Sequence, residues 1–600
     1  MGFNDMTLRY AKLTSYLPFL SVILFHALII YPQFITPGEI LRMSDFILPN
    51  VNNQTNFDLS FYAWTTYGLG QPSIPSFSTG LIYILSRVFG TPFAQQFLGF
   101  APFLVASAGM YFFLVRTGWM KSRPWAAVTA ILYFVNWPVF SYVGDNGILL
   151  TLTGLMWTYA MIPFSMLYAN KIFIDDEFST CNVICLALCS WVALLWNSQA
   201  FVMMGVILIP FIIHYVCEKI IGSSTTKRTA INRLIFALAG WAGLCLLLAF
   251  PVVMVLLGSV VSSGNVQSLY GAKAVLGPSS AMFSFMYPYI ISPFTLLSNP
   301  RPSQNFIEIL GLCVPVLSIF GILWEKDRRK KLMALLLLAF VFLVACWTRL
   351  IITHEDFVAR IYAIPLLGQL LQVVRSPYKF FIFLGPALIV LLGLGIDNVT
   401  KKLSSRFGAL MRAALIVCAV LAVFLNHKGR IFHLRATYVD AGITLSGQGG
   451  SHALPYGRLN KSLLEITKEL QNRGGPHGRI LWLPNENDIW LQTTQISFEN
   501  VLSYPSTLTM AYFQKEIASC FTDGTISRLA KILSLLRIRY VVIIKYAKQS
   551  GPPRIWGTPP WGEHIVGDPM AFLSSLEEQN GLAKLREDAS YVIYENKLFH

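Results

Sequence analysis

The sequence predicts an α-helical polytopic membrane protein of about eleven transmembrane helices, followed by an exterior α/β domain. Three observations predict it. Of 600 residues, 54% are hydrophobic and only 13% are charged, about half the charged share of a soluble domain. Apolar runs of roughly 17–25 residues, the length that crosses a bilayer as helix, recur as far as residue 426. Beyond residue 428 the pattern changes to short apolar strands and an amphipathic helix.

Met1 to Lys12 is a short polar lead, and the apolar run Tyr16 to Tyr31 has no small-residue cleavage site after it. It therefore reads as an anchor rather than a cleaved signal peptide. The spans are expected near 15–34, 93–115, 124–142, 149–169, 181–197, 199–217, 234–257, 306–324, 332–348, 378–397 and 409–426. Charge orients them. An N-terminus in the cytoplasm puts Arg9/Lys12, Arg116/Lys121/Arg123, Lys219/Lys227/Arg228/Arg233, EKDRRKK (325–331) and Lys401/Lys402/Arg406/Arg412 on the cytoplasmic side. The long loops 35–92, 258–305 and 349–377, much poorer in Lys and Arg for their length, face outward. An odd number of spans then delivers 428–600 outside, giving a membrane unit 1–427 and an exterior unit 428–600. The same asymmetry accounts for the net charge of +16. No basic tract alternates with exposed aromatics, so nucleic acid is not an expected partner.

The exterior unit carries strand-like runs RILWLP (479–484), RYVVIIKY (539–546) and YVIYEN (591–596), with the helical period of ISRLAKILSLL (526–536) before the second. Helix followed by strand implies an α/β layer. Of nine cysteines only Cys520 lies outside the apolar spans, so this unit has no internal disulfide. Cys181, Cys185 and Cys189 have helical spacing but no His or carboxylate beside them, which favours helix packing over metal. Sequons at Asn53 and Asn460 fall outside in this layout, and a third at Asn398 falls inside.

The chemistry-bearing residues gather in two exterior loops. The first reads SDFILPNVNNQTNFDLSFYAWTTYGLGQPSIPSF (44–77), with the carboxylates Asp45 and Asp58, then Tyr62, Trp64 and Gln71. Phe57 to Trp64 reads as an amphipathic interfacial helix. Asp45 stands between GEILRM and FIL, in a segment suited to lie on the membrane face. Such a carboxylate, held away from bulk water, is a candidate general base. Asp58, Tyr62, Trp64 and Gln71 are candidate sugar- or acceptor-binding residues; a solvated helix-end acid and an aromatic interface belt are the ordinary alternatives.

The second loop holds Arg349, His354, Glu355, Asp356 and Arg360, then VVRSPYKFF (373–381). Arg375 and Lys379 are cations on the side where the positive-inside rule expects few, and with Arg360 they are candidate ligands of a lipid phosphate. Snorkelling to lipid headgroups is the alternative. The HED triplet carries ligand-type residues, but consecutive residues cannot all face one ion; no metal ligand is assigned, and a divalent metal stays an open alternative.

Together the loops imply glycosyl transfer from a lipid phosphate. Phosphate leaves without protonation, so one carboxylate suffices as base on the acceptor hydroxyl while cations stabilise the departing charge. Glycosidases, with a poorer leaving group, typically need two carboxylates. SDF (44–46), the W…YGLGQPS run (64–73), LGQLLQVVRSPYKF (367–380), and RILWLP and LLRIRYVVI in the tail resemble the GT-C superfamily of polyprenyl-phosphate-sugar-dependent glycosyltransferases. The nearer likeness is to its α-(1→3)-arabinofuranosyltransferase-like and YfhO-type branch. The resemblance implies Asp45 as the first-loop catalytic acid, Arg375 and Lys379 near the donor phosphate, and a helical module of about seven conserved spans. Two departures stand out. No second acid adjoins Asp45, and the oligosaccharyltransferase motif WWDYG is absent, which argues against transfer to protein asparagine. The expected partners are a polyprenyl-phosphate sugar donor, a glycan or glycolipid acceptor and membrane lipids. The rival reading is a non-catalytic lipid or glycolipid transporter, or a glycan-binding envelope assembly factor; the lack of internal repeats weighs against a transporter.

Overall fold

The computed structural model describes residues 16–34, 77–135, 153–196, 200–222, 227–250, 313–353, 381–402, 528–536, 538–545, 564–589 and 591–599, together with short stretches between them. These residues form a helical bundle and a small mixed sheet.

Helix α1 (Tyr16–Ile30) ends in a π-helical turn, His26–Ile30, and continues as Tyr31–Phe34. There follow α2 (Phe77–Phe89), α3 (Thr91–Arg116), α4 (Arg123–Val135), α5 (Thr153–Phe173), α6 (Thr180–Trp196), α7 (Ala200–Tyr215), α8 (Lys227–Leu248), α9 (Cys313–Trp324), α10 (Arg328–Thr353) and α11 (Phe381–Lys402). Every stretch read as a span from 15–34 to 378–397 carries helix, while 409–426 is described at only a few residues. Among the described residues, Gln96–Arg116, Met203–Ile221 and Lys227–Leu248 are long and apolar enough to cross a membrane. Shorter apolar helices are Tyr16–Ile30, Thr180–Leu195 and Pro315–Trp324. Prolines 102, 163, 210 and 386 lie inside helices α3, α5, α7 and α11, as membrane helices tolerate when neighbours satisfy the freed backbone.

Helix α2 corrects one expectation. The amphipathic helix of the first loop falls at Phe77–Phe89, where apolar residues recur every three or four positions. The expected one at 57–64 is not found at its end: Trp64 is strand, and 57–63 lie outside the described residues. With 13 residues, α2 is too short to span. It exposes Leu81, Ile84, Val88 and Phe89, an apolar stripe suited to a membrane surface.

The bundle is tied by polar contacts of its buried aromatics. Tyr133 and Tyr159 stack with centroids 4.2 Å apart. Each hydroxyl donates to the other's backbone carbonyl, at 3.0 and 2.8 Å, which joins α4 to α5. The Trp157 indole donates to the Leu98 carbonyl (3.2 Å, α5 to α3), and Trp241 to the Ser190 hydroxyl (2.9 Å, α8 to α6). In an apolar solvent such bonds fix which helix faces meet.

The tail sheet has the order β5 (Arg479–Leu483), β6 (Ile538–Ile544), β10 (Tyr591–Asn596), β9 (Leu582–Glu587). β5 pairs with β6 in parallel, and the other neighbours are antiparallel. All three runs read as strands are strands, and helix α12 (Leu529–Leu535) lies within the predicted helix. One sheet face buries Leu481, Leu483, Val541, Ile543 and Val592 against α12, α13 (Pro569–Glu577) and Cys520. The other buries Trp482, Tyr540 and Val542 against Ile466 and Leu470. Helix α13 starts where Asp568 accepts from the Met570 amide at 2.9 Å and Pro569 presets the first turn. Further pairs are β1 (Ile40–Leu41) with β4 (Tyr456–Gly457), β2 (Trp64–Thr65) with β3 (Gln71–Pro72), and β7 (Arg554–Trp556) with β8 (His564–Val566).

Candidate functional site

The ends of the bundle differ, and that difference positions the candidate site. At one end Lys219 (2.9 Å) and Arg233 (3.3 Å) both pair with Asp176, and Arg329 pairs with Glu218 at 3.3 Å. The Lys330 amine donates to the Gly118 carbonyl. Asp397, 3% exposed, pairs with Lys401. It also accepts the amides of Lys121 (3.3 Å) and Ser122 (3.4 Å). The Asn398 amide donates to the Gly321 carbonyl at 2.9 Å and to Glu325 at 3.3 Å. Asp327 caps α10 by accepting the Arg329 amide at 2.9 Å. The basic clusters that sequence placed on one side, as far as they are described, thus meet at one end of the bundle. The sequon at Asn398 is a buried packing contact within α11.

Chain direction follows. Helices α3, α5, α7, α9 and α11 finish at this basic end, and α4, α6, α8 and α10 begin there. The first residue of α3, Thr91, is the far end of a 26-residue helix, about 39 Å away. At that far end lie the C-terminus of α10 (Thr353) and the N-terminus of α11 (Phe381), the points between which the Arg360 segment runs. Strand β1 packs beside α3 and pairs with β4, so the first loop meets the tail.

Of the sequence-derived site residues, Trp64 and Gln71 share one hairpin at positions that do not face each other. They occupy facing strands of one antiparallel hairpin, with Trp64 opposite Pro72 and Thr65 opposite Gln71. Arg360 is exposed. Asp45, Asp58, Tyr62, Arg375 and Lys379 lie outside the described residues, as do His354, Glu355 and Asp356. Among the described residues no group of three His, Cys, Asp or Glu side chains could hold a metal. Cys181 is exposed on α6, while Cys185 and Cys189 are half-buried.

Sequence reasoning missed Asp397, an acid near the end of an apolar run four residues before Lys401, a spacing that pairs them on one helix face. It also missed the β1–β4 pairing, which carries no local signal. In the tail, Glu587 accepts from Lys545 (2.6 Å) and Lys584 (2.7 Å). Those bonds hold its carboxyl down at about 2.

The chain aligns over 98% of its length with the cryo-EM structure of a mycobacterial arabinofuranosyltransferase, AftD, at TM-score 0.55 and 13% identity. The chain shares the fold of that arabinofuranosyltransferase. The chain spans 42% of the length of that arabinofuranosyltransferase. Further GT-C structures align at lower scores. The Archaeoglobus fulgidus oligosaccharyltransferase AglB, in complex with an inhibitory peptide and a dolichol-phosphate, gives TM-score 0.49 at 13% identity over 89% of this chain and 70% of its own. ArnT from Cupriavidus metallidurans, bound to undecaprenyl phosphate, gives 0.46 at 11% identity over 96% and 99%. No protein-family model matches the sequence, and no curated protein matches it.

Proposed function

We propose that this chain is an inverting glycosyltransferase of the plasma membrane, moving a sugar from a polyprenyl-phosphate donor to a hydroxyl of an extracytoplasmic glycan or glycolipid. One observation carries the reading. At the bundle end opposite the cation-rich one, β1 lies beside α3 and pairs with β4, α10 ends at Thr353 and α11 begins at Phe381, and these described points flank the two stretches that hold the candidate residues. With the basic end in the cytoplasm, that end faces outward. The GT-C fold supports the same chemistry.

In this reading the Asp45 carboxylate takes the acceptor hydroxyl proton as that oxygen attacks the anomeric carbon. The bond from carbon to phosphate oxygen breaks, and the polyprenyl phosphate leaves with the electron pair. Arg375, Lys379 and Arg360 stabilise the charge it acquires. Direct displacement inverts the anomeric centre and needs no second carboxylate. Trp64 offers a ring face to a sugar and Gln71 an amide to a sugar or acceptor, with Asp58 and Tyr62 earlier in the same loop.

The test is to incubate purified protein with a panel of polyprenyl-phosphate sugars and measure release of polyprenyl phosphate. Asp45→Asn is expected to lower turnover by about 10²–10⁴-fold while donor binding persists. Wild-type turnover in that variant excludes Asp45 as base. Arg375→Ala is expected to weaken donor binding by about 1.5–3 kcal/mol, the worth of a hydrogen bond to a charged group. An unchanged affinity returns Arg375 to lipid snorkelling.

A further inference from the structure

The cation-rich end of the bundle is not uniform. On its α5–α8 side, Lys219 and Arg233 share Asp176, and Arg329 takes Glu218. On the other side three segments lock together: the α3–α4 turn, the α9–α10 turn and the end of α11. Lys330 donates to the Gly118 carbonyl, Asn398 reaches Gly321 and Glu325, and Asp397 holds the amides of Lys121 and Ser122. The acids of this joint are already engaged. Asp397 takes Lys401, Glu325 accepts the Asp327 amide at 2.9 Å, and Asp327 caps α10. Arg116, Lys121, Lys326, Arg328 and Lys402 are exposed on the same three segments, and no described acid pairs with them.

An apolar track leads to this patch. Val316, Ile319 and Leu323 of α9 recur every three or four residues and are 38%, 48% and 59% exposed. Lys326 follows Leu323 by three residues, so the lipid-facing stripe ends on a cation. A phosphate ester at the head of a hydrocarbon chain matches that order, with positive charge at the membrane surface and apolar side chains below it. A soluble polyanion would use the charges and leave the stripe unused.

From this we infer that the joint is a docking site for one anionic phospholipid of the leaflet at this end of the bundle. Lys121, Lys326 and Lys402 hold its headgroup phosphate, and an acyl chain lies along Val316, Ile319 and Leu323. Arg116 and Arg328 extend the same positive field. The bound lipid bridges turns whose cations otherwise repel one another, so it stabilises the folded bundle by mass action. The site lies at the end opposite the candidate transferase residues and does not depend on the transferase reading.

The experiment uses the full chain in nanodiscs of phosphatidylcholine containing a minority of phosphatidylglycerol, with retained lipids counted by native mass spectrometry. Wild type should keep one phosphatidylglycerol in preference to phosphatidylcholine, and its Tm should rise with the phosphatidylglycerol fraction. Lys326→Gln/Lys402→Gln should weaken retention about 25-fold, at about fivefold for each cation lost from a charged membrane surface. Lys227→Gln/Arg228→Gln removes the same charge from the start of α8, at the same end of the bundle, and should leave retention unchanged. Equal loss in the two double variants would reduce the effect to diffuse attraction and overturn the site. Wild type that retains no phosphatidylglycerol overturns it as well. Inorganic phosphate at matched ionic strength should leave the lipid in place; displacement would assign the patch to a soluble phosphate and overturn the lipid. If Lys326→Gln/Lys402→Gln does not fold, Lys121→Gln alone carries the test, with an expected loss of about fivefold. Wild-type retention in that variant overturns the site.

Discussion

Asp397 shows how one residue can be costly to lose without touching a substrate. Its carboxylate is buried against the amides of Lys121 and Ser122 and the Lys401 amine, so it satisfies the turn between α3 and α4 from a helix far along the chain. Asp397→Ala should leave two part-buried amides unmet and lower stability by about 1–3 kcal/mol, read as a fall in Tm of the nanodisc-embedded protein. An unchanged Tm would mean that water replaces the carboxylate. Glu587 gives a pH-dependent case. Its folded value, near 2 against an ordinary 4.5, means that its ion pairs with Lys545 and Lys584 stabilise the fold above the ordinary carboxylate range. That contribution is lost as pH falls from 4.5 to about 2. Thermal unfolding followed at stepped pH should show the acid limb in wild type and a shallower one in Glu587→Gln. Because Glu587 is exposed, the limb should also weaken in high salt.

At the scale of elements, α9 and α11 cross backbone to backbone. A Cβ on Gly321 would meet the Gly395 backbone at 2.6 Å, and one on Gly395 would meet the Leu317 carbonyl. Gly393, two residues earlier, faces Met120 and Thr129, so glycines let α11 fit between α9 and α4. Gly395→Ala should overpack this crossing and cost about 1–3 kcal/mol, checked by denaturation in mild detergent. Gly243→Ala, where a Cβ meets nothing within 4 Å, is the matched control and should be neutral. The positions of these helices were legible in sequence, because composition alone selects spans. Their partners were not. GLGIDN in α11 reads as one more apolar run until Leu317 and Gly321 are placed against it.

For the whole molecule, the decisive quantity is sidedness. Described cations of the predicted cytoplasmic clusters share one end of the bundle, and β1, β4, the end of α10 and the start of α11 belong to the other. Membrane-impermeant thiol labelling of intact cells should therefore modify Gln71→Cys and leave Lys331→Cys protected until the membrane is permeabilised. The reverse pattern would remove the candidate site from the compartment of its proposed acceptor. Both substitutions lie outside the helix crossings and should leave folding intact.

The sequence by itself determined the membrane-spanning character, the segregation of basic clusters to one side and the strands of the tail sheet. These follow from the local composition of each segment, which fixes the solvent it prefers and the period of its apolar residues. It also supplied the site residues as a list without their arrangement. Only the tertiary structure decided that Asp397 serves the α3–α4 turn, that glycines seat α11 between α9 and α4, and that Ile40 and Leu41 pair with the tail. These are pairings between distant segments, and neither partner's sequence carries a local trace of the other. Hydrogen bonds and close contacts select them only once the helices have assembled.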